Sequence, residues 1–303
     1  MAVFASNRAE KRGAEASASA GEPSDSLGIK YRQLTDVQFQ KFSALVFEKT
    51  GIYLKPEKKE LLNARLGKRL RALGLDSFQG YHEYLMQDAS GEELVQMINV
   101  VSTNFTSFFR ENSHFDLLAA RLLPQLVASN RRKREITLWS AACSSGEEPY
   151  TMAMVVADFL ERHPDWTFRI MATDISTKVL AQAERGVYAS DRVTKVPPAL
   201  LKRYFQKGVG SAAGYVKVKD ALRRHITFSR FNLMHEFPWR GELDVIFCRN
   251  VMIYFNRQTQ QELVAKFHGA LISGGHFFIG HSESITSLAH EFVQVDATAY
   301  QKR

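Results

Sequence analysis

The segment Leu138-Trp139-Ser140-Ala141-Ala142-Cys143-Ser144-Ser145-Gly146-Glu147-Glu148-Pro149 constrains the fold of this chain more than any other. A short apolar strand runs into a loop of small residues, and a helix is predicted to open at Glu148-Pro149. Twenty-six residues past Glu148, a second strand, Phe168 to Thr173, ends in Asp174. Small residues let a ligand approach the backbone, and a helix start offers free N–H groups. An acid at the tip of the next strand can hold a ribose diol. Together these predict a site for a nucleoside cofactor.

The loop itself narrows the choice. A dinucleotide fingerprint places glycines at Gly-x-Gly-x-x-Gly, whereas here only Gly146 is present, with Ala and Ser at the other small positions. A pyrophosphate needs the closest backbone approach, so the dinucleotide reading weakens. A Walker loop is excluded because no Gly-Lys-Ser/Thr follows. S-adenosylmethionine, a nucleoside without phosphates, fits better. The alternative is a plain βα unit in which Gly146 only permits a tight turn.

Strands are expected near Ile136–Ala141, Phe168–Thr173, Leu243–Cys248 and His276–Gly280, with helices near Glu148–Glu161, Thr177–Arg185 and Gln258–Leu271. Buried strands alternating with helices predict an α/β domain with a mostly parallel sheet covered on both faces, spanning 102–303. Before it, 29–101 reads as a small all-helical domain. Leu62, Leu66, Leu70 and Leu73 make one apolar stripe there, with Lys58, Arg65, Lys68 and Arg69 beside it and Arg71 further round. The glycine-rich stretch from Gly208 to Gly214, followed by Tyr215-Val216-Lys217-Val218-Lys219, predicts an inserted β-subdomain over about 206–228. Residues 1–28 read as a disordered polar tail with no signal-peptide core.

Composition excludes several classes. No apolar run approaches the roughly 18 residues of a membrane helix. The two cysteines, Cys143 and Cys248, are unpaired in sequence, which argues against a disulfide framework and a zinc site. A net charge of +8 points to an acidic partner: nucleic acid, an anionic membrane or an acidic protein.

Two more segments are Ser102-Thr103-Asn104-Phe105-Thr106-Ser107-Phe108-Phe109-Arg110-Glu111 and Phe247-Cys248-Arg249-Asn250-Val251-Met252-Ile253-Tyr254-Phe255. With Ser-Gly-Glu-Glu-Pro-Tyr, Ala-Thr-Asp-Ile and Gly-His-Ser-Glu-Ser, they closely resemble the bacterial chemotaxis receptor methyltransferases, the CheR family, from about Ile29 to Tyr300. The resemblance implies an S-adenosylmethionine-dependent methyltransferase fold and methyl esterification of chemoreceptor glutamates, with S-adenosylhomocysteine as product and no metal. It further implies a cytoplasmic enzyme recruited to membrane receptor arrays, without nucleic-acid binding or membrane insertion.

Residue by residue, the resemblance implies that Asn104, Thr106 and Arg110 close over the cofactor. Glu147 or Glu148 stands by its methionine moiety, Asp174 by its ribose and Asn232-Leu233 by its adenine, with Gly146 in the loop. Arg249-Asn250 lie at the end of the fourth strand, and Tyr254 lies near the transferred methyl. Arg110, Arg249 and Tyr254 are the expected catalytic residues. Arg65, Lys68, Arg69 and Arg71 are the expected receptor-binding residues. The resemblance implies that the β-subdomain captures a short aromatic-acidic peptide at the C-terminus of some receptors, with Lys217 and Lys219 suited to it; the alternative is a tolerated surface insertion. Two alternatives stand beside this reading. The basic helix could follow a nucleic-acid backbone, although the fourth strand lacks the Asn/Asp-Pro-Pro-aromatic pattern of base-amine methylation. A non-catalytic cofactor-sensing module is the other.

Overall fold

A computed structural model describes residues 2–4, 33–129 and 133–303. Four helices come first: α1 (Asp36–Thr50), α2 (Lys59–Leu73), α3 (Phe78–Gln87) and α4 (Glu92–Val101). The start of α1 is fixed by a capping box. The Thr35 hydroxyl accepts from the Gln38 amide, and the Gln38 side chain accepts from the Thr35 amide. Gly51 and Gly74, both with φ near +70°, stop α1 and α2 in the left-handed conformation that suits glycine. The predicted leucine stripe of α2 is buried at Leu62, Leu66 and Leu70, against Phe42, Tyr81 and Met97.

Eleven strands are described: β1 (Ala2–Phe4), β2 (Glu135–Ala141), β3 (Thr167–Asp174), β4 (Val187–Ala189), β5 (Phe205–Gly208), β6 (Tyr215–Val218), β7 (Ile226–Arg230), β8 (Leu243–Phe247), β9 (Leu271–Phe278), β10 (Phe292–Asp296) and β11 (Ala299–Lys302). The main sheet has the order β10-β11-β9-β8-β2-β3-β7. All neighbours pair in parallel except those of β11, which is antiparallel to both β9 and β10. The first strand of the domain, β2, lies in the middle. The chain builds outward one way through β3 and β7, then crosses to β8 and builds the other way. That reversal opens a crevice at the carboxyl ends of β2, β3 and β8, where open α/β sheets bind ligands. Helices Glu147–Leu160, Thr177–Arg185 and Arg257–Ala270 cover the faces. The first of these begins at Glu147, one residue earlier than the Glu148-Pro149 start expected.

The inserted β-subdomain differs from its predicted bounds of 206–228. It is a four-stranded sheet of order β1-β5-β6-β4, so it begins at β4, before the Pro198–Tyr204 helix. Ile226-Thr227-Phe228 belongs instead to β7, paired in parallel with β3 at the main sheet's edge. The glycine-rich turn marked only the middle of the subdomain. Short strands such as Val187–Ala189 carry too little pattern to announce themselves. The predicted disordered tail is also revised. Ala2–Phe4 forms a strand, while the rest of 1–28 lies outside the described residues. Among the described residues, no helix is long and apolar enough to cross a membrane.

Candidate active site

The crevice is a cavity of about 570 Å³, within the range of small-molecule sites. Its floor is the sheet's switch point: Ala142-Cys143-Ser144 after β2, Asp174-Ile175 at the end of β3, and Arg249-Asn250-Val251 after β8. Its roof comes from elsewhere in sequence. Ile52 to Lys55, Glu57, Lys58, Leu61 and Arg65 approach from the helical domain, and Val101 to Ser107 with Arg110 from the segment joining the two domains. A smaller apolar lobe continues from it, lined by Ile52, Phe231, Asn232, Leu233, Val251 and Tyr254. The expected adenine pair thus lies in this side lobe. The Asn232 side chain also ties the two domains by donating to the Lys49 carbonyl at 2.7 Å.

The glycine-poor loop has a conformational explanation. Ala142 (φ 64°) and Ser144 (φ 49°) adopt the left-handed backbone without being glycine. Asp174 accounts for part of this, since its carboxylate accepts from the Ser144 amide at 2.9 Å and from the Ser176 amide at 2.9 Å. Ser144 Oγ in turn donates to the Asn104 carbonyl at 2.9 Å, which joins the linking segment to the loop. Burial nevertheless raises the Asp174 pKa, those two amides pulling it back. Each oxygen keeps lone-pair capacity toward the cavity that Asp174 lines.

Gly146, expected against the cofactor, is not in the cavity wall. At φ 96° it turns the chain into the helix, and a Cβ there would meet Ala183 Cβ at 2.8 Å and the Tyr188 hydroxyl at 2.9 Å. Its role is helix-to-helix packing. The two glutamates separate as clearly. Glu147 is fully buried away from the cavity, accepts from Ser145 Oγ at 2.7 Å and pairs with Arg192. Glu148 lines the cavity, accepts from Ser140 Oγ at 2.7 Å, and has a pKa raised by burial against the opposing pull of Arg249.

Arg249 is the centre of a buried charge network. Its side chain is only 2% exposed and pairs with Glu148 at 3.1 Å and Glu111 at 2.9 Å. It donates to the Arg110 carbonyl as well, and its guanidinium sits 5.4 Å from the Phe115 ring centroid. Its expected part in orienting a substrate carboxylate is therefore corrected: two protein carboxylates already hold it. Burial would raise the Glu111 pKa, but Arg249 and the Asn250 side chain bring it down to about 2. Asn250, at φ 61°, donates to Glu111 at 3.1 Å. Below it Glu283 accepts from the amides of Asn250 and Val251 at 2.8 Å each and from Gly280 at 2.6 Å. A Cβ on Gly280 would lie 2.3 Å from Asn250 Nδ2. The Gly-His-Ser-Glu-Ser segment is thus the bracket that shapes the Arg249-Asn250-Val251 turn. Glu111 and Glu283 both lie inside the family's short motifs, but only their folded partners, Arg249 and the Asn250-Val251 turn, give them a role.

Arg110 and Tyr254 do line the cavity, with Asn104 and Thr106. Arg110 donates to the Phe105 carbonyl at 2.8 Å and stands over that ring. Phe105 is 77% exposed at the rim, while Phe108 is buried in the core. Among the basic residues of α2, Arg69 forms a two-pronged pair with buried Glu93 at 2.7 and 2.5 Å. Arg65 donates to Val101 and Ser102 carbonyls and to Thr103 Oγ. Both are structural ties, which revises their expected receptor role; Lys68 and Arg71 are exposed. Glu111, His114 and His281 also converge, with ligand atoms within 4.8 Å of one another. Arg249 already neutralises that carboxylate, and a cation placed there would face the guanidinium.

A seven-stranded sheet with one antiparallel strand, a phosphate-free loop at its switch point and an acid at the second strand's tip define a class: the S-adenosylmethionine-dependent methyltransferases. Residues 104–301 match the family profile for the CheR methyltransferase S-adenosylmethionine-binding domain, and residues 38–102 match the CheR methyltransferase all-alpha domain. The chain belongs to the CheR methyltransferase family. It is 39% identical to the chemotaxis protein methyltransferase of Salmonella typhimurium over 268 residues, covering 88% of this chain and 90% of that one. It is 40% identical to chemotaxis protein methyltransferase 2 of Pseudomonas aeruginosa over 280 residues, covering 92% and 97%.

Proposed function

We propose that this enzyme methylates glutamate side chains on the cytoplasmic helices of chemoreceptors, in the cytoplasm at membrane receptor arrays, without nucleic acid or membrane insertion. The carrying observation is the cavity itself. Its floor is a nucleoside site, and its mouth carries Lys55, Lys58 and Arg110 against one acid, Glu57. That mouth suits an acidic substrate.

The donor set fits S-adenosylmethionine. Asp174 takes the ribose diol and Glu148 the methionine ammonium. Ile52, Leu233 and Val251, with Asn232, surround the adenine, and Asn104, Thr106 and Asn250 complete the wall. Bound there, S-adenosylmethionine supplies an electrophilic methyl on a cationic sulfur. A substrate glutamate, with an ordinary pKa near 4.3, is already an anion at neutral pH. No general base is then required, and positioning carries most of the acceleration. Arg110 and the Tyr254 hydroxyl orient the carboxylate while leaving one oxygen free, since pairing both would stabilise the nucleophile. Arg249 acts one step back, holding Glu148 and the Arg110 backbone in place.

The test is incubation with chemoreceptor-bearing membranes and methyl-labelled cofactor. Base-labile label on receptor glutamates is expected; base-stable label, or label on nucleic acid, overturns the reading. Tyr254→Phe should lower turnover with cofactor affinity nearly intact, whereas Arg110→Ala should lower turnover and also weaken cofactor binding.

A further inference from the structure

Strands β4, β6 and β5 form an antiparallel sheet whose β5 side would be an open edge. Open edges present unpaired N–H and C=O groups that recruit extended chain. Here the edge is taken. Ala2, Val3 and Phe4 pair in parallel with Gln206, Lys207 and Gly208. Parallel pairing at such an edge cannot come from a hairpin; it requires a long return of the chain, and the whole sequence between Phe4 and Phe205 supplies it.

We infer that the chain's own N-terminal segment is a displaceable occupant of this edge, a competitor in cis for any extended peptide that adds there. Two features make it displaceable. The ladder is three residues long, so few main-chain hydrogen bonds hold it. Ala2-Val3-Phe4 also brings no carboxylate to an edge that carries exposed Lys207. A longer extended peptide with acidic side chains would gain both more ladder and this charge. Lys217, opposite Gln206 on the neighbouring strand, lies on the other face of the sheet and does not add to the Lys207 charge. Lys219 does not contribute as expected, because its ammonium donates to the carbonyls of Lys202 and Arg203. Being tethered, the segment competes at an effective concentration set by its linker, not by the bulk. The cis pairing stands on its register alone; its meaning for receptor peptides rests on the function proposed above.

The experiment compares the full chain with Val3→Pro/Phe4→Pro. Proline removes the amide donor, and alternate residues face a partner strand, so two adjacent prolines must strike the ladder. The first readout is amide exchange at Lys207, whose N–H points away from β6 toward β1 because its neighbour Gln206 pairs with Lys217; it should accelerate in the variant. The second is binding of a fluorescent synthetic peptide with the sequence of residues 1–6. Its affinity should tighten roughly 5- to 10-fold once the edge is vacated, as expected for a site otherwise free a tenth to a fifth of the time. Unchanged exchange, or equal or absent peptide binding in both proteins, overturns the proposal. So does a dimer in sedimentation that the prolines dissociate, since the strand would then come from a second copy. Methylation of receptors trimmed of their C-terminal tails should be equal in both proteins, and it reports on the proposed function separately.

Discussion

At the residue scale, the site is made of side chains whose hydrogen bonds are largely committed to the protein before any ligand is considered. Asp174 holds two backbone amides of the loops it touches and still faces the cavity. Asp174→Ala should therefore weaken S-adenosylmethionine binding by roughly 1–3 kcal/mol, the scale of hydrogen bonds to a charged group. Calorimetry on the folded variant checks this, and unchanged affinity would remove Asp174 from the ribose. Identity alone did not separate Glu147 from Glu148, because the two are neighbours of the same type at a helix start. Only their surroundings do: Arg192 claims one, and the cavity with Arg249 claims the other.

At the element scale, tight turns and one basic helix carry the argument. Gly146→Ala places a Cβ against Ala183 and Tyr188 at a φ of 96°, and should destabilise the fold by roughly 1–3 kcal/mol. Because Gly146 is outside the cavity wall, the folded fraction should keep its cofactor affinity, which denaturant titration and calorimetry together can separate. On α2, Lys68→Glu/Arg71→Glu should raise the apparent KM for receptor while sparing cofactor binding. Added salt should produce a similar rise in the unsubstituted enzyme, since exposed charges are screened beyond about 8 Å at physiological ionic strength. Receptor titrations at two salt concentrations would show it; an unchanged KM in the double variant would move docking off this helix. The basic pattern of α2 was legible in sequence, but its division of labour was not. Arg69 and Arg65 look like their neighbours until Glu93 and the Val101–Thr103 backbone are folded against them.

At the scale of the whole molecule, buried titratable groups tie stability to pH. Burial chiefly, with the nearby Arg249 charge, lowers the His114 pKa to about 3. The folded state thus keeps this ring neutral, while the unfolded chain takes up a proton below about 6.5. Between those values the unfolded state binds more protons, so stability rises with pH and is lost on acidification. His114 alone should cost about 2 kcal/mol by pH 5. Glu111, held near 2, adds a loss in the same direction as pH falls below the ordinary carboxylate range. Urea unfolding at pH 7.5 and pH 5 should show the drop, and His114→Gln should reduce it; an equal drop in the variant would assign it elsewhere.

The sequence by itself determined the alternation of strands and helices, the nucleoside loop and the acid that follows it. Each of these is written in local periodicity and local turn chemistry, which neighbouring residues fix. Its motifs also carried the family, since Arg249-Asn250, Glu283 and Arg110 are each embedded in distinctive short segments. The tertiary structure decided what those residues touch. The Arg249 network draws on segments more than a hundred residues apart, and the cavity's roof comes from a different domain than its floor. The small sheet was only half visible, because its shortest strands have no periodicity to read and β1 gains its partner from two hundred residues away. Contacts of that range depend on how the elements pack, and no local pattern encodes them.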